Sequence, residues 1–346
     1  MRAMLLVNPK ATTTNQRTRD VLIRALGATV DLTVEETQYR GHAAHLSREA
    51  HGSGFDVVAV LGGDGTVNEA VNGLLDAPGI ADITGEAVEG GDAETARRED
   101  SSDDGAVDDG VSGGAVNRPA LLTIPGGSAN VFARALGLPN DPVEAVGAIL
   151  EALRDDRRRT VGLGHAIWNG RRRYFTFCSG LGYDAEVIRA VEGLRGAGRK
   201  ATPARYVNTA LHHYLSTDRR QAPMSVEGPE VPPADDLFMA IVSNTSPWTY
   251  VGSRPVCPTP WASFETGLDL LGLQRLDPVT MCHLMPQIIG VRETLPTGRH
   301  LVQLHDEREF TVSALRPVAF QLDGDYLGEV ERVTFRSIPK ALQVVV

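Results

Sequence analysis

Gly62-Gly63-Asp64-Gly65-Thr66-Val67-Asn68-Glu69 follows directly on the apolar run Val57-Val58-Ala59-Val60-Leu61 and leads into an amphipathic stretch. A run with no polar residue fits a strand of a parallel sheet covered on both faces. Glycines at the carboxyl end of such a strand let the backbone approach a phosphate closely. The helix that follows aims its free N–H groups and positive dipole end at the anion. Asp64 adds a carboxylate where a magnesium ion or a hydroxyl proton needs one. The pattern predicts a nucleotide-phosphate loop: Gly62, Gly63, Gly65 and Thr66 lie against the phosphates. Glu69, one turn into the helix, orients the loop or a nucleotide hydroxyl.

Upstream of this loop, apolar runs at 4–7 and 30–34 alternate with amphipathic segments at 17–26 and 42–50, a β-α-β-α-β order. Downstream, Leu121-Leu122-Thr123-Ile124 supplies another buried strand, and Pro125-Gly126-Gly127-Ser128-Ala129-Asn130 repeats the strand, glycine loop and helix build. Gly127, Ser128 and Asn130 are the nucleotide-binding candidates of this second loop. Asn8, in Asn8-Pro9-Lys10 at the end of the first strand, can donate to a phosphate or ribose. Asp141-Pro142 caps and opens a helix running to about residue 154.

Beyond that helix the pattern changes. Runs at 161–168 and 174–178 flank Asn169-Gly170, a dipeptide suited to the positive φ angles of a two-residue hairpin turn. Further strand-like runs fall at 237–242, 301–304, 310–312 and 318–322, with helical segments near 184–194, 204–215 and 279–289. The expected architecture is α/β: a nucleotide-binding domain over 1–158, a β-rich substrate domain over 159–331, and a tail over 332–346. The cleft between the domains is the expected ligand site.

The chain has 346 residues, 42% of them hydrophobic, enough for two domains with real cores. Its net charge of −10 is concentrated between Asp76 and Arg118, where twelve acidic residues face three basic ones. That stretch is rich in glycine and poor in large apolar side chains, so residues 77–118 read as a disordered insertion. The remaining body is close to neutral, with no basic field for nucleic acid. No apolar run of roughly 18 residues is present, and the first strand begins almost at Met1, so the expected location is cytoplasmic. Cys178, Cys257 and Cys282 lack any metal-ligand spacing and read as packing residues. Arg171-Arg172-Arg173, beside the hairpin tip, fits either a solvated turn or peripheral contact with anionic headgroups.

Asn8-Pro9, the loop at 62–69 and the loop at 125–134 occur in the order and strand-end positions of the diacylglycerol kinase catalytic family, which the chain resembles. That family includes bacterial diacylglycerol kinases, sphingosine kinases and ceramide kinase. Ser179-Gly180-Leu181-Gly182-Tyr183-Asp184-Ala185 resembles its glycine-aspartate junction, and Leu322-Asp323-Gly324-Asp325 its late Asp-Gly-Glu segment. The resemblance implies an N-terminal α/β domain like those of NAD kinase and phosphofructokinase and a β-sandwich-like second domain. A tail would return to the first. It also implies ATP with Mg²⁺, a membrane-lipid acceptor, diacylglycerol first and a sphingoid base or polyprenol behind it, and allows a homodimer. For such an acceptor, apolar residues between Tyr206 and Tyr214, together with Trp248, Tyr250 and Trp261, either line an acyl-chain groove or belong to the core. Asp323 is then the expected general base, Asp64 and Asp325 organise Mg²⁺ and phosphates, and Asp184 is either catalytic or a junction residue.

The sequence departs from the family in three places. The second loop lacks an acid after Asn130, the late motif ends in Asp325 where glutamate is usual, and Phe264 to Asp269 replaces a segment linked elsewhere to structural magnesium. An NAD kinase is the rival enzyme, but Asn68-Glu69 directly after the loop favour the lipid kinase. A non-catalytic nucleotide- or lipid-binding regulator is the other alternative, and retention of Asp64, Asp323 and Asp325 opposes it. Loop-closure entropy changes only logarithmically with length. Excising residues 79–117 across a short glycine-serine linker is therefore expected to leave a folded protein of near-parental turnover, which melting and kinase assays check.

Overall fold

The computed structural model describes residues 1–11, 15–75, 118–196 and 223–346, with the side chains of 191–196 set aside. The insertion expected over 77–118 lies outside the described residues except for Arg118. The helix expected over 204–215, with the acyl-chain groove proposed between Tyr206 and Tyr214, lies outside them entirely.

The first half alternates strands β1 (Arg2–Val7), β2 (Asp31–Glu36), β3 (Val57–Gly62) and β4 (Ala120–Pro125) with helices α1 (Gln16–Gly27), α2 (His42–Gly52) and α3 (Asp64–Leu74). Helices α4 (Val131–Ala135) and α5 (Pro142–Arg154) follow β4. The four strands are parallel in the order β2, β1, β3, β4. Period-two alternation divides β3 between two cores. Val58 and Val60 pack with Leu46, Val67 and Val71 from α2 and α3. Val57, Ala59 and Leu61 pack with Leu22, Leu26 and Ile149 from α1 and α5. Edge strand β2 is largely exposed and carries Asp31, Glu35 and Glu36, charges that discourage pairing with another chain.

In the second half, β5 (Arg158–Trp168) and β6 (Arg171–Phe175) form the expected hairpin, Trp168 opposite Arg171. Asn169 and Gly170 take φ of 46° and 72°. Strand β7 (Cys178–Gly182) runs into α6 (Tyr183–Gly196), and β8 (Met224–Glu227), β9 (Ala234–Leu237), β10 (Met239–Ser243), β11 (Thr249–Val251), β12 (Arg254–Val256) and β13 (Leu268–Leu273) follow. Then come α7 (Pro278–Ile288), β14 (Leu301–Glu307), β15 (Glu309–Leu322) and the 21-residue β16 (Asp325–Val345). Ladders run antiparallel from β14 through β13, β10, β7 and β15 to β16. Phe175, Phe310, Phe320 and Phe335 fill the core beneath them.

Strand β16 joins the halves. Its first part pairs with β15, its later part with β5, and at Val344 it lies parallel to Leu121 of β4. One hydrogen-bonded sheet thus crosses the whole protein, and a division at residues 158 and 331 is a proposal about packing, with no break in the ladder. Among the described residues, no helix is long and apolar enough to cross a membrane.

Helices α2 and α3 touch closely at Gly73, where an added Cβ would sit 2.7 Å from Ala44 Cα. Gly73→Ala is expected to lower stability by about 1–3 kcal/mol through overpacking. Gly147, in α5 with open space around it, should gain up to about 1 kcal/mol on replacement by alanine from helix propensity. Urea denaturation of the two variants checks the contrast.

Candidate active site

The two glycine loops meet backbone to backbone. Gly126 N–H donates to Gly62 O at 2.9 Å, and a Cβ on Gly127 would stand 2.6 Å from Gly63 Cα. Only glycine allows that approach, which accounts for the paired glycines in each loop. Asn130, in the left-handed region at φ 48°, holds the second loop: its Oδ1 accepts from Gly127 N–H and its Nδ2 donates to Gly127 O, each at 2.8 Å. Ser128 is exposed on that loop. Asn8 Nδ2 donates to Thr66 Oγ1 at 3.0 Å, tying the end of β1 to the first loop. Glu69 accepts from Ala43 N–H at 3.3 Å, so its carboxylate caps α2, whose own cap, Gly41, has no side chain to do so. Burial raises the Glu69 pKa.

Asp64 opens α3 and accepts from Phe132 N–H at 3.1 Å, bridging to the start of α4. Desolvation pushes its pKa up from 3.8 to about 6 against the lowering effect of the Val131 and Phe132 amides, and the negative charge of Asp323 adds to the rise. Asp323, in the turn between β15 and β16 at φ 48°, is 4% exposed. Its Oδ1 accepts from Phe177 N–H and Cys178 N–H at 3.0 and 3.1 Å. Its Oδ2 accepts from Thr176 N–H at 2.7 Å, Thr176 Oγ1 at 2.8 Å and Asn68 Nδ2 at 2.6 Å. Burial raises its pKa despite those donors.

Asp325 is the accessible late acid, its side chain 21% exposed. Its Oδ2 pairs with Arg173 Nη2 at 3.1 Å and Arg40 Nη2 at 3.5 Å, while a Cβ on Gly65 would lie 3.3 Å from its Oδ1. The first loop and the late motif, 255 residues apart at Asn68 and Asp323, are thereby brought into one place. Asp184 is buried, accepts from Gln321 Nε2 at 2.9 Å, and has its pKa pushed up to about 6 by burial. Gln321 Oε1 in turn accepts from Gly324 N–H at 2.9 Å, which makes Asp184 a support of the turn bearing both late acids.

Several expectations change on this geometry. Arg173 is 2% exposed and points into the site, so it is withdrawn from the basic trio and only Arg171 and Arg172 face solvent. Burial within the interface between α3 and β6 is the reason. Arg40, Arg173 and the junction role of Asn68 were not found by sequence reasoning, because their partners come from distant elements. Of the aromatics offered for an acyl groove, Trp248 and Tyr250 pack against the core, Arg134 sits 3.1 Å over the Tyr250 ring, and Trp261 is exposed with its Nε1 on Glu293 O. In the segment departing from the magnesium-linked pattern, Glu265 pairs with Arg159, and Asp269 accepts from His305 Nδ1 and Asp306 N–H. Among the described residues no cluster of three or more metal-ligating side chains occurs.

Comparison with known proteins agrees with the loops. Residues 2–166 match the diacylglycerol kinase catalytic domain. A diacylglycerol kinase of Staphylococcus haemolyticus is 30% identical over 156 residues, covering 45% of this chain and 33% of the relative. A protein of Chromohalobacter salexigens named "Probable lipid kinase YegS-like" is 35% identical over 144 residues, covering 42% and 34%. The chain thus spans about a third of the length of these curated relatives. The crystal structure of a diacylglycerol kinase from Bacillus anthracis superposes with a TM-score of 0.64 at 20% identity over 99% of this chain and 96% of that one, which shows a common fold. It is through residues 2–166, which match the diacylglycerol kinase catalytic domain, that the chain is similar to that family.

Proposed function

We propose that this protein is an ATP-dependent lipid kinase, transferring the γ-phosphoryl group of ATP to a lipid hydroxyl, with diacylglycerol as first acceptor and phosphatidic acid as product. The observation that carries the reading is the approach of Asp325 Oδ1 to the Gly65 backbone, beside the strand-end loop whose helix begins at Asp64. Phosphoryl transfer needs little more from a protein than alignment of two substrates, spread of negative charge and an acid-base group at the attacking oxygen. In this reading the loops at 62–66 and 126–128 take the nucleotide phosphates. The lipid oxygen attacks the γ-phosphorus, the bond to the ADP oxygen breaks, and the hydroxyl proton passes to a late carboxylate.

We assign that proton to Asp325, in place of Asp323. Five donors fill the Asp323 carboxylate, leaving it no lone pair for a substrate, whereas Asp325 Oδ1 looks onto the loop. Magnesium fits as part of the nucleotide complex, since Mg²⁺ is commonly held by one or two carboxylates together with substrate phosphates, and Asp64 is the carboxylate at the loop. The ion would neutralise developing charge on the transferred group. The lipid acceptor also implies reversible contact with a membrane from the cytoplasmic side, for which Arg171 and Arg172 are the exposed guanidinium groups of the hairpin. Lipid is favoured over NAD because Asn68 and Glu69, directly after the loop, are committed to Asp323 and to the cap of α2.

Labelled ATP presented with detergent-dispersed diacylglycerol, a sphingoid base, a polyprenol and free NAD is expected to label diacylglycerol most strongly. Labelled NAD with no labelled lipid would overturn the proposal.

A second expectation follows from Asp64. Its folded-state pKa of about 6 lies above the ordinary 3.8, so ionising it opposes folding. That cost is absent below 3.8, grows between the two values and is complete above 6. Asp64→Asn, which keeps the acceptor for Phe132, should raise the melting temperature at about pH 8 and leave it unchanged at about pH 3.5. In the parent protein, Mg²⁺-ATP affinity should weaken as pH falls through 6, by up to about tenfold per pH unit, which calorimetric titration measures.

A further inference from the structure

Arg173 is the least exposed arginine of the site, 2% accessible on β6, and its contacts run in two directions. Nε donates to Asn68 Oδ1 at 2.7 Å, on the helix of the first glycine loop. Nη2 donates to Asp325 Oδ2 at 3.1 Å, at the start of β16. Nη1 is buried with no hydrogen-bond partner. Burying a guanidinium with one donor unsatisfied is expensive, and Arg171, two residues along the same strand, remains in solvent. Packing alone would be met more cheaply by an apolar side chain of similar volume.

We propose that Arg173 is a positioning residue for phosphoryl transfer, fixing the Asp325 carboxylate relative to the glycine loop. It rests on the reading of Asp325 as the proton acceptor. With Oδ2 held by the buried guanidinium, Oδ1 is the oxygen left facing Gly65. Arg40 reaches the same Oδ2, but at 3.5 Å and with its own side chain 44% exposed, a contact too solvated to fix an orientation. The rigid, planar fork matters as well as the charge. One guanidinium spans Asn68 and Asp325 with separate nitrogens, so the acid is indexed to the loop that carries the nucleotide. A lysine ammonium is a point charge on a flexible stem and cannot reproduce both bonds in one geometry. Asn68 closes the arrangement by donating to Asp323 Oδ2 and to Tyr174 O.

A double-mutant cycle with Arg173→Lys and Asp325→Asn, measuring kcat and KM for ATP with the best lipid acceptor alongside melting temperature, tests this. Arg173→Lys is expected to lower kcat by roughly 10²-fold, the scale of a misplacement near 1 Å, with KM for ATP nearly unchanged. In the Asp325→Asn background the same substitution should have no further effect on kcat, because the group it orients is gone. Losses that multiply across the cycle, or a loss confined to KM or to the folded fraction, would overturn the positioning role while leaving the lipid-kinase reading intact. If Arg173→Lys does not fold, the cycle is run instead with Asn68→Ser, which removes the amide that seats Nε and is expected to show the same non-additivity with Asp325→Asn. A parent protein that phosphorylates no lipid would instead sink the functional reading, and this role with it.

Discussion

A carboxylate sealed from water costs several kcal/mol unless its lone pairs are met, and Asp323 is such a group. Its donors fix the surrounding structure. Three come from consecutive residues, Thr176 to Cys178, so the link between β6 and β7 must wrap around the acid. A fourth is the Thr176 hydroxyl, and the fifth is Asn68, from the other half of the protein. The turn joining β15 to β16, the hairpin strand β6 and the helix after the glycine loop thus converge on one charge. Asn72 extends the grip, accepting from Tyr174 N–H and donating to Tyr174 O. The division between the two halves is bridged by satisfying this acid and also by apolar packing, since Val161, Leu163, Phe177 and Phe264 share a core with Val58, Val60 and Phe132.

That division explains what the loops can do. A glycine loop alone supplies donors for phosphate, and a late acid alone supplies a base. Chemistry needs both at a set distance. The Asn68 and Arg173 contacts make the distance a property of one continuous hydrogen-bonded group, Asp323, Asn68, Arg173 and Asp325. Asp64, Asp184 and Asp323 all carry raised pKa values for the same physical cause, desolvation. Such crowding of ionisable groups opposes stability and is usual where acids are kept for chemistry.

Much of this was legible in the sequence, for definite reasons. Strands β3 and β4 are buried throughout and apolar but for Thr123, because both faces are covered, and each glycine loop announces itself within eight residues. The Asn169-Gly170 turn was equally local. Strand β16 was read only as a tail, because Arg332, Arg336, Pro339 and Lys340 interrupt its alternation, and Lys340 takes φ 52° where the ladder with β5 shifts. Strand β13, Leu268 to Leu273, was hidden by Asp269 and Gly272. In the site, the acids Asp64, Asp323 and Asp325 were found by motif, but which late acid meets solvent depends on donors more than 140 residues away. Arg173 carried no local sign of burial, standing beside two solvated arginines.

Strand β16 has one more consequence, for synthesis. The parallel partner of Leu121 is Val344, so β4 emerges from the ribosome long before the strand that covers its open side. Until then β4 presents an unsatisfied, largely apolar edge, the kind of surface that invites association between nascent chains. Non-local pairing of this sort also slows folding, because the loop must close before any contact repays it. Among the parallel strands, β4 thus waits longest for its second neighbour.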